Sequence, residues 1–564
     1  MKRIFLSLGI ALMLSQTACV TAGTMQAQEN GTTSIVQAGP DIAIVAVAEG
    51  KLQGYIHNGI YTYHGVPYAE AKERFVPAEK AAPWQGIRPA FNFGAIAPQA
   101  KPNPIFDIAW EAPARYFEMS NNAQNLNIWT PAINDNGKRP VMVWLHGGGF
   151  STGSSAAVSS YEGENLSRKG DVVVVSVNHR LNVLGHLDLS QFGEKYKNSA
   201  NVGIIDLIAA LEWIRANIDQ FGGDPNNVTI FGESGGGAKV LALMTTPNAK
   251  GLFQKAIIQS GATETMGVRF IDTKASRRVT ELTLQHLNID KNRIEALQTL
   301  PYETLAAASD KALQQTAEEL KLPSPFGSHL GYALMWEPVV DGGLMPSNPV
   351  LTQGFAAAAN DIPLLIGSNL TEWQAMSMLT DLSKAQFDNP KTWSDEETEQ
   401  KLTALYGDNK EAVVVAFLQA YPDKKRGDAM YVDSTVIRLP MLKIMSHKAE
   451  QSAPVYAYLF SWESPLMNGA ITAYHTAEIP FVFSNIDKAA SRIGGGREAE
   501  ILQDKMSTAW INFARHGNPN HAGLPEWQPY NRENGATMIF DNSVRLTHKH
   551  DAPLIQLLAP DYQY

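Results

Sequence analysis

The chain of 564 residues predicts an α/β protein with a mainly parallel central sheet, flanked by helices and carrying helical cap insertions. Three observations lead there. From about residue 141, short apolar runs alternate with amphipathic stretches; one run enters a glycine-rich turn and leaves it as a helix; and no repeat, low-complexity tract or linker divides the chain after Asp41.

With 44% hydrophobic and 18% charged residues the chain can bury a large core. Its net charge of -10 and the lack of a long Lys/Arg cluster argue against nucleic acid as a partner, because phosphate binding relies on a basic surface.

At the start, Lys2 and Arg3 precede an apolar run over residues 4–14, too short to span a bilayer but long enough for a signal-peptide core. Val20-Thr21-Ala22 fits the small-x-small rule, so residues 1–22 are read as a signal peptide and the protein as exported, periplasmic or secreted. Cys19, the only cysteine, sits behind Thr17 and Ala18 and offers a rival reading as a lipid attachment point. Against it, Gln16 stands where lipoprotein signals resemble one another in carrying leucine. One thiol cannot close a bridge within the molecule, so stability must come from the core. Residues 23–41 are polar and without periodicity, which predicts a disordered leader; residues 42–564 are read as one catalytic domain with no transmembrane span.

Residues 42–47 are expected to begin the fold. Short strands at 55–56 and 61–63, divided by Asn58-Gly59, predict a hairpin and an antiparallel start to the sheet. Strands covered on both faces follow at 141–145, 172–177, 228–231, 256–259, 362–366 and 455–460. Ile204, Leu207, Ile208, Leu211, Ile214, Ile218 and Phe221 recur at spacings of three and four, which predicts a helix that Gly222-Gly223 and Pro225 stop. Two helical, charged stretches, 273–320 and 389–420, read as insertions over the C-terminal end of the sheet, where open α/β sheets place ligands.

The strand at 228–231 runs directly into Gly232-Glu233-Ser234-Gly235-Gly236, and an Ala, Val and Leu run follows. This strand-to-helix turn lifts a serine hydroxyl to the top of a sheet, which marks Ser234 as a nucleophile. Gly149-Phe150-Ser151-Thr152-Gly153 matches the same pattern, but three glycines separate it from its strand and no periodic helix follows, so Ser151 reads as a loop residue.

A serine needs a base within hydrogen-bond reach and a third group to orient that base. On such a sheet both come from loops after later strands, in the order serine, acid, histidine. His475 follows the strand at 455–460 and is the candidate base; His329 competes, in a loop without a clear preceding strand. His286 and His447 fall in helical patterns, and His516, His521, His548 and His550 in polar C-terminal stretches. Glu372, past the strand at 362–366, is the candidate acid, with Asp341 as the competitor. His146-Gly147-Gly148-Gly149 follows a strand and lets successive N–H groups converge on a developing oxyanion, and Gly235 adds a third donor. Glycine-rich turns also bind phosphate, but neither Gly-Lys-Ser/Thr nor Gly-x-Gly-x-x-Gly with a following carboxylate is present. There is no His-Glu-x-x-His, and Lys239 lies too far from Ser234 for a Ser-x-x-Lys site, so no metal and no cofactor are implied.

With these residues in place, the chain resembles the type-B carboxylesterases, the family that also includes para-nitrobenzyl esterases and cholinesterases. The likeness runs from about residue 50 to the C-terminus. It rests on Tyr63-His64-Gly65-Val66-Pro67-Tyr68-Ala69, Leu126-Asn127-Ile128-Trp129-Thr130-Pro131, Asn178-His179-Arg180-Leu181, the Ser234 turn, Pro338-Val339-Val340-Asp341-Gly342, Gly367-Ser368-Asn369 with Glu372, and His475-Thr476-Ala477-Glu478. The resemblance implies an α/β-hydrolase fold, a triad of Ser234, Glu372 and His475, an oxyanion hole from the N–H groups of Gly148, Gly149 and Gly235, and a structural Asp341. It also brings out departures. Ala97 and Ala123 stand for the family's early cysteine pair, Gly235 for the usual alanine and Trp373 for a common glycine, and residues 101–119 form a short segment.

The expected activity is hydrolysis of small-molecule carboxylic esters by water through an acyl-enzyme. A non-catalytic binding or adhesion protein on the same fold is the alternative from another class, and amidase or lactonase action on the same triad is a third reading.

Overall fold

The computed structural model describes residues 35–100, 117–327, 330–373, 389–433 and 435–564. The signal peptide, Cys19 and His329 lie outside the described residues, as does most of the 101–119 segment.

Among the described residues, twelve strands join into one sheet. They are β1 (Val36–Gln37), β2 (Tyr55–His57), β3 (Ile60–Pro67), β4 (Asn125–Thr130), β5 (Arg139–Leu145), β6 (Val173–Val177), β7 (Gly223–Glu233), β8 (Lys255–Gln259), β9 (Leu364–Asn369), β10 (Val455–Phe460), β11 (Ala536–Phe540) and β12 (Arg545–His548). Their spatial order is β1-β2-β3-β4-β6-β5-β7-β8-β9-β10-β11-β12. The run from β6 to β11 is parallel, and antiparallel strands close both edges. This is the α/β-hydrolase architecture.

The period of two along the central strands builds two cores. Val141, Val143 and Leu145 of β5 face one side with Val173, Val175 and Ile230, while Met142 and Trp144 face the other with Val174 and Phe231. Helix α1 (Val202–Asn217) and helix α2 (Gly235–Thr245) cover the first side. The first is the helix expected from its apolar spacing; it ends in a 3-10 turn at Ile218–Phe221, and Gly222 turns left-handed (φ 72°) to stop it. The insertion over 273–320 forms α3 (Thr273–His286) and α4 (Tyr302–Leu320), and that over 389–420 forms α5 (Asp395–Tyr406) and α6 (Lys410–Ala420). On the second side lies α7 (Arg497–His516), through Leu502, Met506, Trp510 and Phe513.

The start of the chain differs from expectation. The segment at Ile44–Val47 does not open the main sheet; it pairs with Gly50–Gln53, which pairs in turn with Ile87–Pro89. The end of the expected leader, Val36–Gln37, instead takes the edge against Ile56 and His57, a pairing made by main-chain groups that need no apolar pattern. The hairpin at Asn58-Gly59 forms as its turn chemistry requires, with both residues left-handed (φ 48° and 82°). Strand β9 starts after Pro363, which has no N–H for the ladder, and runs on through Gly367-Ser368-Asn369. Strand β4 shows no apolar run because Asn125 and Asn127 interrupt it. Asn127 is nonetheless fully buried, donating to Ser155 Oγ (2.9 Å) and Ser176 Oγ (3.1 Å) and accepting from Gly65 N (3.0 Å).

One buried ion pair ties the segment after β6 to α1. Arg180 donates through Nε and Nη2 to the two oxygens of Asp206 (2.8 and 2.7 Å), with side chains 2% and 0% exposed, and Arg180 N (3.1 Å) and Gln124 Nε2 (3.0 Å) add two more bonds. Removing one partner of such a pair strands a buried charge. Asp206→Ala should therefore destabilise the fold by about 3–5 kcal/mol, read as a lower denaturation midpoint, while the apolar double variant Arg180→Met with Asp206→Leu should recover most of the loss.

Candidate active site

Ser234 sits between β7 and α2 with φ 54° and ψ -128°, a conformation that costs a non-glycine residue about 1–3 kcal/mol and survives only where its surroundings fix it. They do so on both sides. Ser234 N donates to Gln259 O of β8 (2.9 Å), and Ser234 O accepts from Ala238 N (3.1 Å). The crossing is also too tight for side chains: a methyl on Gly236 would lie 2.0 Å from Leu145 O, and one on Gly232 would lie 2.5 Å from the Gly236 carbonyl carbon.

The loops after β9 and β10 are zipped together beside this turn. Thr371 N donates to Ala473 O (3.2 Å), His475 N to Glu372 O (3.1 Å), and the Thr371 and Thr472 hydroxyls meet at 2.8 Å. Their side chains follow suit: His475 Nδ1 lies 2.6 Å from Glu372 Oε2, with both groups buried. The other oxygen of Glu372 accepts from Ser260 Oγ and from Asn369 N, each at 2.6 Å. A carboxylate so bound holds the imidazole with N–H on Nδ1 and its Nε2 turned away. Nε2 is turned to the elbow, 3.2 Å from an oxygen of Glu233, the residue before Ser234.

The glycine loop after β5 closes the site. A methyl on Gly147 would lie 3.5 Å from Ser234 Cβ, and one on Gly235 would lie 2.3–2.4 Å from the O, Cα and N of Gly149. Each peptide of the loop is held by its carbonyl, and because C=O and N–H are antiparallel across a trans peptide, the following N–H is held too. Gly147 O is taken by His146 Nδ1 (2.8 Å), which aims the N–H of Gly148; Gly148 O is taken by Ser151 N (3.2 Å) and Thr152 N (3.0 Å), which aims the N–H of Gly149. Among the described residues no backbone acceptor claims the N–H groups of Gly148, Gly149 or Gly235. Gly148 and Gly149 adopt φ 89° and 60°, the left-handed region that glycine enters without strain.

The competitors fall elsewhere. Asp341 accepts from Gly343 N, Met345 N and Asn201 Nδ2, fixing a turn. Ser151 belongs to the turn that follows the glycine loop, and its carbonyl accepts from Asn182 Nδ2 (3.1 Å). Three groups at the site were not singled out from the sequence: Glu233, Ser260 and Glu478, the last accepting from Gln259 Nε2 (2.9 Å) and Asn369 Nδ2 (2.7 Å). Glu233 stands inside the elbow motif and Glu478 three residues after His475, so their nearness to the site was signalled by position alone. Among the described residues no cluster of His, Cys, Asp and Glu could hold a metal ion, and no helix is long and apolar enough to cross a membrane.

The match to a family model decides the family: residues 41–556 fit the model described as the carboxylesterase family. The chain belongs to the carboxylesterase family. It is a carboxylic ester hydrolase of the serine type. It is 32% identical to the para-nitrobenzyl esterase of Bacillus subtilis (strain 168), over 92% of this chain and 98% of that one. To the phenmedipham hydrolase of Pseudarthrobacter oxydans it is 31% identical, over 88% and 94%. Among solved structures, an esterase from Clostridium hathewayi that can hydrolyze aliphatic aromatic polyesters superposes with a TM-score of 0.83 at 36% identity, covering 93% of this chain and 99% of that one.

Measured against that family resemblance, the departures find their places. Ala97 and Ala123, at the positions of the early cysteine pair, are both buried in one small apolar cluster with Leu181. The Gly149 backbone fills the space that the usual alanine methyl would take at 235. Trp373 packs on His475, ring centroids 4.2 Å apart and planes at 30°, and Phe326 abuts Trp373 at 5.5 Å. Met335 Cε would lie 3.7 Å from a methyl on Gly149, so the segment after α4 reaches both Trp373 and the glycine loop.

Electrostatics here are those of a buried acidic cluster. Burial raises Glu233 well above the ordinary carboxyl range, with His475 acting against it, and also raises Glu478. Burial alone would lower His475, but the carboxylates of Glu233 and Glu372 outweigh it and lift the imidazole to about 9. Glu233 and His475 thus compete for a proton, and a charged Glu233 favours the imidazolium. Replacing Glu233 by glutamine removes a group that favours the imidazolium. The acid limb of kcat/KM in Glu233→Gln should move to lower pH. An unmoved limb would show that Glu233 does not act on the base.

Gly235 gives a second prediction. An alanine there must push the Gly149 backbone aside, and misplacing catalytic groups by about 1 Å can cost on the order of a hundredfold. Gly235→Ala should lower kcat by about tenfold to a hundredfold, measured per serine titrated by a fluorophosphonate.

Proposed function

We propose that Ser234 attacks the ester carbonyl, that His475 takes its proton through Nε2 and passes it to the leaving alcohol, and that Glu372 holds the imidazole in the required tautomer. The N–H groups of Gly148, Gly149 and Gly235 receive the negative charge on the carbonyl oxygen. Water then repeats the cycle on the acyl-enzyme. The observation that carries this reading is the 2.6 Å bond from His475 Nδ1 to Glu372, which leaves Nε2 turned to the elbow that presents Ser234. Membership of the carboxylesterase family supports it, as does a glycine loop whose peptides are pinned from behind.

The substrates are esters with apolar or aromatic groups beside the carbonyl. Trp373, Phe326 and Met335 support this, and a para-nitrobenzyl esterase and an esterase of aliphatic aromatic polyesters stand among the similar proteins. The protein is exported, which Lys2, Arg3 and the apolar run behind them support.

Loss of a triad serine lowers kcat by a factor on the order of a million. Ser234→Ala should therefore lose hydrolysis of a nitrophenyl ester to that degree and lose fluorophosphonate labelling, while keeping its thermal midpoint. Turnover equal to the unchanged protein would overturn the assignment.

A further inference from the structure

Lys239 is a fully buried lysine, five residues beyond Ser234 on α2. Burying an ammonium is costly, and an apolar residue on this face would avoid the cost. The usual compensation, a carboxylate, is missing: among the described residues nothing but burial acts on its basicity, which falls to about 7. What surrounds it is either neutral or a weak acceptor. Burial lowers His146, His179 and His186, with Lys239 adding to the effect in each, so these three imidazoles are uncharged neighbours.

The two groups that do engage the ammonium belong to one loop. Nζ donates to His146 O at 2.7 Å and lies 5.6 Å from the centre of the Phe150 ring, within reach of a cation–π contact. His146 and Phe150 bracket Gly147-Gly148-Gly149. Lys239 therefore grips both ends of the stretch that presents two of the three oxyanion donors, from the helix whose first residue presents the third. We infer that Lys239 is a positioning residue for the oxyanion loop, fixing the His146 peptide and the Phe150 ring so that the N–H groups of Gly148 and Gly149 stay aimed at the tetrahedral oxygen. This rests on the assignment of those N–H groups above.

A loop held this way pays off when charge develops on the substrate oxygen, so the effect should fall on kcat and not on KM. Lys239→Met keeps the length and apolar stem but removes donor and charge; Lys239→Gln keeps a donor. With active sites counted by fluorophosphonate, Lys239→Met should lose about tenfold to a hundredfold in kcat with KM within twofold. Its affinity for an aryl trifluoromethyl ketone, which forms a tetrahedral adduct, should fall in proportion, and Lys239→Gln should lie between it and the unchanged protein. If Lys239→Met keeps kcat per titrated serine and ketone affinity within twofold, the inference is overturned. Should that variant not fold, the unchanged protein decides: with lysine side chains labelled by ¹⁵N, one exchange-protected ammonium signal should shift when the ketone binds, and a fixed signal refutes the coupling. Fluorophosphonate labelling keeps the two proposals separate, since a labelled Lys239→Met with full kcat defeats the lysine's role and leaves Ser234's intact.

Discussion

Everything at this site depends on one backbone strain, the φ of 54° at Ser234, and on what is removed from the chain to permit it. A left-handed serine between a buried strand and a buried helix forces those elements to cross within van der Waals range. The crossing closes because Gly232 and Gly236 offer no side chain, leaving Leu145 O and the Gly236 carbonyl where methyls would stand. The strain is small, about 1–3 kcal/mol, against the packing that imposes it. Val228, Ile230 and Phe231 before the turn and Val240, Leu241 and Leu243 after it are buried in the cores on the two sides of the sheet. The serine cannot relax without withdrawing apolar side chains from both cores.

The same constraint governs Glu372 and His475. A carboxylate sealed from water must find partners for its lone pairs, and Glu372 finds three: Ser260 Oγ, Asn369 N and His475 Nδ1. The partners come from just past β8, from the last residue of β9 and from the loop after β10, so satisfying the carboxylate also fixes how those three segments lie. Glu233 is placed the opposite way. It is equally buried, and that burial raises it above the ordinary carboxyl range while the imidazole beside it acts in the other direction. Two glutamates thus flank one histidine, Glu372 bonded by three donors and Glu233 pushed up by the water it loses.

The fold class and the main elements were legible in the sequence because the central strands are apolar on both faces and α1 carries its period over several turns. The legibility failed where main-chain pairing or buried polar bonding replaces hydrophobic pattern. Val36–Gln37 joins the edge through its backbone, and β4 hides behind Asn125 and Asn127, whose amides are satisfied by residues distant in the chain. At the site, Ser234, Glu372 and His475 could be picked out because each follows a strand end and the chemistry demands those types. Ser260 and Lys239 could not. Nothing local distinguishes a serine that bonds a carboxylate 112 positions away or a helix lysine whose partner lies 93 positions back. Such residues are specified by the packed sheet, not by their neighbours in sequence.

The departures from the family pattern obey a common rule: where a group is lost, its space or its bonds are taken up by what faces it. Ala97 and Ala123 leave no orphan sulfur and pack together with Leu181. At 235 the missing methyl is replaced by the Gly149 backbone, which draws a donor loop onto the start of α2. A loop brought so near has little side-chain mass to steady it, since three of its residues are glycines, and its rigidity must come from bonds to its carbonyls. Lys239 Nζ bonds His146 O, His146 Nδ1 bonds Gly147 O, and Ser151 N and Thr152 N bond Gly148 O. The closeness permitted by Gly235 and the hold exerted by Lys239 are thus parts of one solution, both carried on α2 within two turns of Ser234. A helix that carries Ser234 at its start and bonds the facing glycine loop from its second turn ties the elbow and that loop to one rigid element.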